Sequence, residues 1–85
     1  MKARKILEKV LASAANVSFA DICKLVEAFG FRRSRVKGSH LIFVHARVPE
    51  LVNLQEVEGK AKPYQVRQFL KLVEEYNLRL EDDEP

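Results

Sequence analysis

One histidine of this sequence lies in a setting that favours proton-transfer chemistry. His40 directly follows Gly38 and Ser39, and Lys37 precedes them. An imidazole titrates near neutral pH, so it can accept and return a proton under cellular conditions. RNA carries its own nucleophile, the 2′-hydroxyl, and its cleavage requires a proton acceptor, a proton donor and a cation near the phosphate. His40 and Lys37 could supply part of this set, although a lone strand histidine is more often structural than catalytic.

Cationic side chains occupy the segment before this histidine. Arg33, Arg35 and Lys37 alternate along a predicted strand, so we expect them on one face, directly before the turn. Such a row binds RNA phosphates in many proteins. Arginines and lysines also occur on solvated edge strands, where they discourage aggregation. The strand alone leaves both interpretations open.

A second candidate phosphate site lies at Lys60 and Lys62, immediately before Pro63. Proline favours the first position of a helix, so a helix is predicted to begin there. Cations at a helix N-terminus oppose the macrodipole, whereas the backbone N–H groups at the same end bind anions well. Gly59 is expected to loosen the preceding loop, as phosphate sites require. The alternative is that both lysines extend into water.

The sequence gives little evidence for a two-histidine site, a metal site or a reactive cysteine. His45 lies five residues after His40, so the two rings should point to opposite faces of a regular strand. No His, Cys, Asp or Glu cluster has the spacing of metal ligands, and we therefore expect no metal and no cofactor. The lone cysteine, Cys23, lies among residues of helical spacing and is predicted to be a small core residue.

The charge of the chain is unevenly distributed. The net charge is +3, but residues 1–40 contain nine Lys or Arg and three acids, whereas residues 41–85 contain six and nine. A basic half of this kind suggests a polyanionic partner. The single cysteine indicates a reducing compartment, and no apolar stretch reaches membrane-spanning length. We expect a cytoplasmic protein with no membrane association.

The elements that would position these residues follow from hydrophobic periodicity and turn signals. In chain order we predict helices over 3–14 and 18–29, strands over 31–37, 40–45 and 51–55, a loop over 56–62 and a helix from residue 63. Ser18 and Asp21 have the spacing of a capping box, and Gly30 is placed to end the second helix. The predicted fold class is α+β, with a three-stranded antiparallel sheet and helices on one face. Residues 1–78 would form one domain and residues 79–85 an acidic flexible tail.

The sequence resembles HicA toxins over about residues 4–78. The similarity is carried by the run from Ser18 to Phe31, by Gly38-Ser39-His40, and by residues 49–55 and 59–70. It is specific because Gly-Ser-His follows a helix ending in Gly-Phe and precedes a Gly-Lys segment and another helix. The resemblance implies a core like that of double-stranded-RNA-binding domains, α-β-β-β-α, here with an extra N-terminal helix.

The resemblance also implies a function. It implies the toxin of a type II toxin–antitoxin pair, an endoribonuclease that cleaves mRNA, with a catalytic histidine matching His40 and a HicB-like antitoxin as its partner. The expected RNA contacts are Arg33, Arg35, Lys37, Ser39, Lys60 and Lys62. We expect a metal-independent reaction and a monomer when the protein is free. The alternative is a non-catalytic RNA-binding module, because the same fold reads RNA by its shape and phosphates.

Overall fold

The computed structural model describes residues 2–81, which form three helices and a four-stranded sheet. The elements in chain order are α1 (Ala3–Ala12), α2 (Phe19–Ala28), β1 (Arg32–Lys37), β2 (His40–His45), β3 (Val48–Val57), β4 (Lys60–Ala61) and α3 (Pro63–Glu75). The strands are antiparallel and lie in the order β1-β2-β3-β4. The predicted α+β class and helix–strand order are confirmed, and the short β4 is additional to the three predicted strands.

Local signals set the ends of α2. The Ser18 hydroxyl accepts a hydrogen bond from the Asp21 backbone N–H at 3.1 Å, which satisfies one of the open donors of the first turn. At the other end Gly30 adopts a φ of 95°, a conformation that suits glycine. The N–H of Phe31 then bonds to the Val26 carbonyl, at 3.4 Å, closing the turn that leads into β1. The predicted cap residues at both ends are confirmed.

One face of the sheet is covered by the helices. Leu41, Phe43, Val52 and Leu54 are buried in a core shared with the helices, and Cys23 belongs to the same core. Ile42 is buried too, but it lies outside that cluster, since it points to the other side of β2. We call that other side the open face of the sheet. The predicted placement of the helices on one face is thereby confirmed.

The strand β1 is irregular, and this changes which cations share a face. Arg33 pairs with Phe43 and Arg35 pairs with Ile42, so Ser34 is an extra residue between them. Since Phe43 and Ile42 point to opposite faces, Arg33 and Arg35 do so as well. The prediction of Arg33, Arg35 and Lys37 on one face is therefore wrong at Arg33. A bulge of this kind leaves no clear signal in the residue pattern.

The segment predicted as a loop is a tight β-hairpin. Residues 56 and 57 belong to β3 and pair with Ala61 and Lys60 of β4. Glu58 and Gly59 form the two-residue turn with φ values of 52° and 79°, as type I′ turns require. The expected loosening of a loop by Gly59 is therefore wrong. The third strand, Val48–Val57, is longer at both ends than the predicted 51–55.

The last helix and the segment that follows it extend the packed core. Pro63 is the first residue of α3, as predicted. At the C-terminal end, Leu80 is only 3% exposed and belongs to the core. The packed region therefore extends beyond the boundary expected at residue 78, and the expected tail residues 82–85 lie outside the described residues. No helix within residues 2–81 combines the length and apolar character needed to cross a membrane.

Candidate functional site

The β1–β2 turn positions His40 at the start of β2. Lys37 and His40 are the last cross-strand pair, and Gly38 and Ser39 form the two-residue turn. Gly38 has a φ of 61°, the conformation that a type II′ turn requires at its first central residue. The turn is also fixed to β3, because the Glu56 N–H donates to the Ser39 carbonyl at 3.1 Å. His40 therefore sits at the hydrogen-bonded end of an inner strand rather than on a loose loop.

The imidazole of His40 is oriented by an asparagine. Its Nδ1 lies 2.9 Å from Oδ1 of Asn53, on the neighbouring strand β3. Both residues point to the open face, since His40 pairs with Gln55 and Ile42 pairs with Asn53. An amide oxygen can only accept, so this bond requires the proton on Nδ1. In the neutral ring, Nε2 is then the nitrogen able to accept a proton from a ligand.

A buried glutamine connects the site to α3. Gln65 is 5% exposed, and its Oε1 accepts a hydrogen bond from the Gln55 backbone N–H at 2.7 Å. Gln55 is the cross-strand partner of His40, and its Nε2 donates to the Ser39 hydroxyl at 3.2 Å. The first turn of α3 therefore lies next to the Ser39–His40 edge. The spacing of Asn53, Gln55 and Gln65 carries no signal in the sequence, because these residues come together only once β3 and α3 are placed.

Three cations share the open face with His40. Lys37 pairs directly with His40, Arg35 with Ile42 and Arg32 with Val44. Arg32 was not among the predicted site residues; the bulge moves it onto this face in place of Arg33. The Arg33 guanidinium instead lies on the helix side, with its Nε 3.6 Å from a carboxylate oxygen of Glu27. The predicted cationic row therefore exists, with one member exchanged.

The second histidine is remote from this site. His45 lies at the far end of β2 and stacks edge-to-face on Phe31, with ring centroids 4.9 Å apart. Its Nδ1 accepts a hydrogen bond from the Arg47 N–H at 3.0 Å. Because Phe31 belongs to the core beneath the helices, His45 points away from the open face. The predicted orientation of the two rings to opposite faces is confirmed.

The two lysines before α3 differ in their surroundings. The ammonium of Lys60, in β4, lies 2.8 Å from Oδ1 of Asn16, in the connection between α1 and α2. Lys62 is the N-cap residue of α3 and is half-buried. The lysine at the helix N-terminus is thus Lys62, whereas the head group of Lys60 is engaged elsewhere.

Residues 2–81 contain no group of three or more His, Cys, Asp and Glu side chains placed to hold a metal ion. The open face instead combines an oriented imidazole, three cations and a cluster of amides. This is an α+β protein with a fold like that of double-stranded-RNA-binding domains and a basic sheet face.

The family comparison agrees with this description. Residues 19–74 match the family described as HicA toxin of bacterial toxin–antitoxin. The chain therefore belongs to the HicA family of toxins, as its resemblance implied. No curated protein and no solved structure gives a significant match.

Proposed function

We propose that this protein is a ribonuclease that cleaves mRNA without a metal ion, and that a HicB-like antitoxin neutralises it. The observation that carries the proposal is the contact of His40 with Asn53, 2.9 Å, on a sheet face that also bears cations. Membership of the HicA toxin family supports it. Because mRNA is translated in the cytoplasm, we propose that the protein acts there.

The chemistry follows from the protonation of the ring. Nε2 of His40 accepts the proton of a 2′-hydroxyl as that oxygen attacks the adjacent phosphorus. The bond from phosphorus to the 5′-oxygen breaks, which leaves a 2′,3′-cyclic phosphate and a 5′-hydroxyl end. Water supplies the proton that the departing oxygen requires. His45 takes no part in this scheme, since it lies on the other face.

The cations stabilise the charge that develops on phosphorus. Lys37 is the direct cross-strand partner of His40, so its ammonium can approach the same phosphate. Arg35 and Arg32 continue the row along β1 and would bind the neighbouring phosphates. The Ser39 hydroxyl lies in the turn before His40, and Lys62, at the α3 N-terminus, is proposed as a further phosphate contact. Neither Arg33 nor Lys60 has its head group on this face, and we assign neither a direct RNA contact.

The catalytic assignment is tested with His40→Ala. General acid–base catalysis contributes about 10²–10⁴-fold, so cleavage and growth inhibition should fall by this range while RNA binding changes little. His45→Gln is the matched control on the other face and should retain activity. Circular dichroism establishes that both variants are folded. A folded His40→Ala protein that cleaves as well as the wild type would exclude His40 as the catalytic residue.

Metal dependence and catalysis are separated in the same assay. Cleavage should continue in EDTA, because the described residues offer no ligand cluster for a catalytic ion. Loss of activity with the chelator and its return with magnesium would overturn the metal-independent mechanism. A wild-type protein that binds RNA tightly but never cleaves it would identify a binding module instead.

The antitoxin is proposed to cover the open face. A row of cations suits an acidic partner as well as it suits RNA, and opposite charges accelerate association. RNA and antitoxin should then compete for one surface on the His40→Ala protein. Arg35→Glu should weaken both complexes, whereas Arg33→Glu, a matched reversal on the helix side, should weaken them less. Simultaneous binding of antitoxin and RNA would contradict direct occlusion.

A further inference from the structure

An open apolar groove lies on the helical side of the molecule, between α1 and α3. It has a volume of about 680 Å³, and its apolar lining comes from both helices and from the segment after α3. Leu11 of α1 is 65% exposed there, and Leu7, Leu70 and Val73 are half-buried. A contiguous apolar patch that stays accessible on the surface commonly marks a binding site.

The packing of α1 explains why this groove is open. Ile6 and Val10 are buried, and α1 packs on α2. Residues one position further along the helix, Leu7 and Leu11, are turned towards α3 but are not covered by it. A partner that bound to α1 would therefore contact Leu7 and Leu11, because Ile6 and Val10 are already buried.

Two walls of the groove belong to parts of the chain outside the family match. The match covers residues 19–74, whereas α1 ends at Ala12 and Leu78 and Leu80 follow α3. The α3 residues form the remaining wall. The groove is thus formed partly by residues outside the matched region, and it lies on the helical side of the sheet, opposite the open face.

The rim of the groove is strongly cationic. Its described lining residues include four cations and one acid, which are Arg4, Arg67, Lys71, Arg79 and Glu74. An apolar floor with a basic rim is complementary to a segment with apolar residues along one side and carboxylates beside them.

The length of the groove fits a short helix. The lining residues of α1 run from Arg4 to Leu11, which is about 10 Å of helix. About two turns of a docked helix cover this length and present apolar residues spaced three and four apart. We propose that the groove between α1 and α3 binds an acidic amphipathic helix of a second protein. This interaction is independent of the ribonuclease activity proposed for the open face.

The probe is a synthetic peptide of about 15 residues, long enough for appreciable helicity, with leucines on one face and glutamates on either side. Amide NMR shifts of the full chain should change at the groove residues on titration. Leu11→Asp should weaken binding at least about tenfold, because it replaces a leucine that the docked helix would bury. Lys71→Glu should also weaken it. Leu51→Asp is the matched control, since Leu51 is 54% exposed on β3, away from the groove.

Specific results would overturn the proposal. One is a peptide with lysines in place of its glutamates that binds equally well. Another is Leu11→Asp binding the acidic peptide as tightly as the wild type does. Dimerisation of the free chain that Leu11→Asp abolishes would identify a second copy as the occupant. Groove shifts that change when residues 82–85 are removed, without added peptide, would identify the chain's own acidic end.

Discussion

Asn53 offers a test of how the His40 ring is held. We expect Asn53→Leu to reduce cleavage. A leucine has a similar size but cannot accept the hydrogen bond that the Nδ1–H of His40 donates to Asn53 at 2.9 Å. In the proposed mechanism Nε2 acts as the base, so the ring would become cationic during the reaction, and a hydrogen bond to a charged group contributes about 1.5–3 kcal/mol. Each 1.36 kcal/mol corresponds to tenfold in rate, so cleavage should fall about 10- to 100-fold.

The assay is single-turnover cleavage of an oligoribonucleotide with enzyme in excess. Asn53→Asp retains an acceptor at the same place and should restore most of the activity. Asn53 is exposed, so both variants should keep the unfolding free energy within about 0.5 kcal/mol of the wild type.

A double-mutant cycle separates positioning from a general effect on the site. In the His40→Ala background, Asn53→Leu should cause no further loss, because the ring that it orients is already absent. A full additional loss in that background would refute the proposed positioning role. Wild-type activity of Asn53→Leu would do the same.

Three other predictions concern stability and RNA affinity. Gln65→Leu should lower the unfolding free energy by about 1–3 kcal/mol, since the Gln55 N–H loses its acceptor, and Gln65→Glu, which keeps an acceptor oxygen, is the comparison in denaturant titrations. Lys62→Glu should reduce the slope of log affinity against log salt by about 0.7–0.9 per lost phosphate contact, whereas Lys60→Glu should leave it unchanged. Burial raises the pKa of the Cys23 thiol from 9.0 to about 11. Stability should therefore hold below pH 9 and decline as the pH rises through 11, and Cys23→Ala should lose this decline.

Much of the fold was predictable because its signals are local. Ser18, Gly30 and Pro63 each act through the geometry of one helix end, and the structure confirms all three. The alternation of β2 likewise predicted that His40 and His45 point to opposite faces. These features depend on residues within a turn or a strand of one another, so the sequence displays them directly.

Features that depend on pairing between distant segments were missed. The bulge at Ser34 exchanged Arg33 for Arg32 on the open face, because the register of β1 is set by its contacts with β2. The β3–β4 hairpin gives no strand pattern in the sequence, since its second strand has only two residues. Leu80 belongs to the hydrophobic core, and no local pattern reveals this burial.

The residue types and local spacing by themselves determined the helices, the turn that presents His40 and the similarity to HicA toxins. Only the tertiary structure brought Asn53 to Nδ1 of His40 and Gln65 to the backbone of Gln55. Such hydrogen bonds require strands and helices to be fixed to within a few tenths of an ångström, and that precision comes from the packed core. The local sequence therefore points to His40, whereas the fold determines which of its ring nitrogens bonds to Asn53.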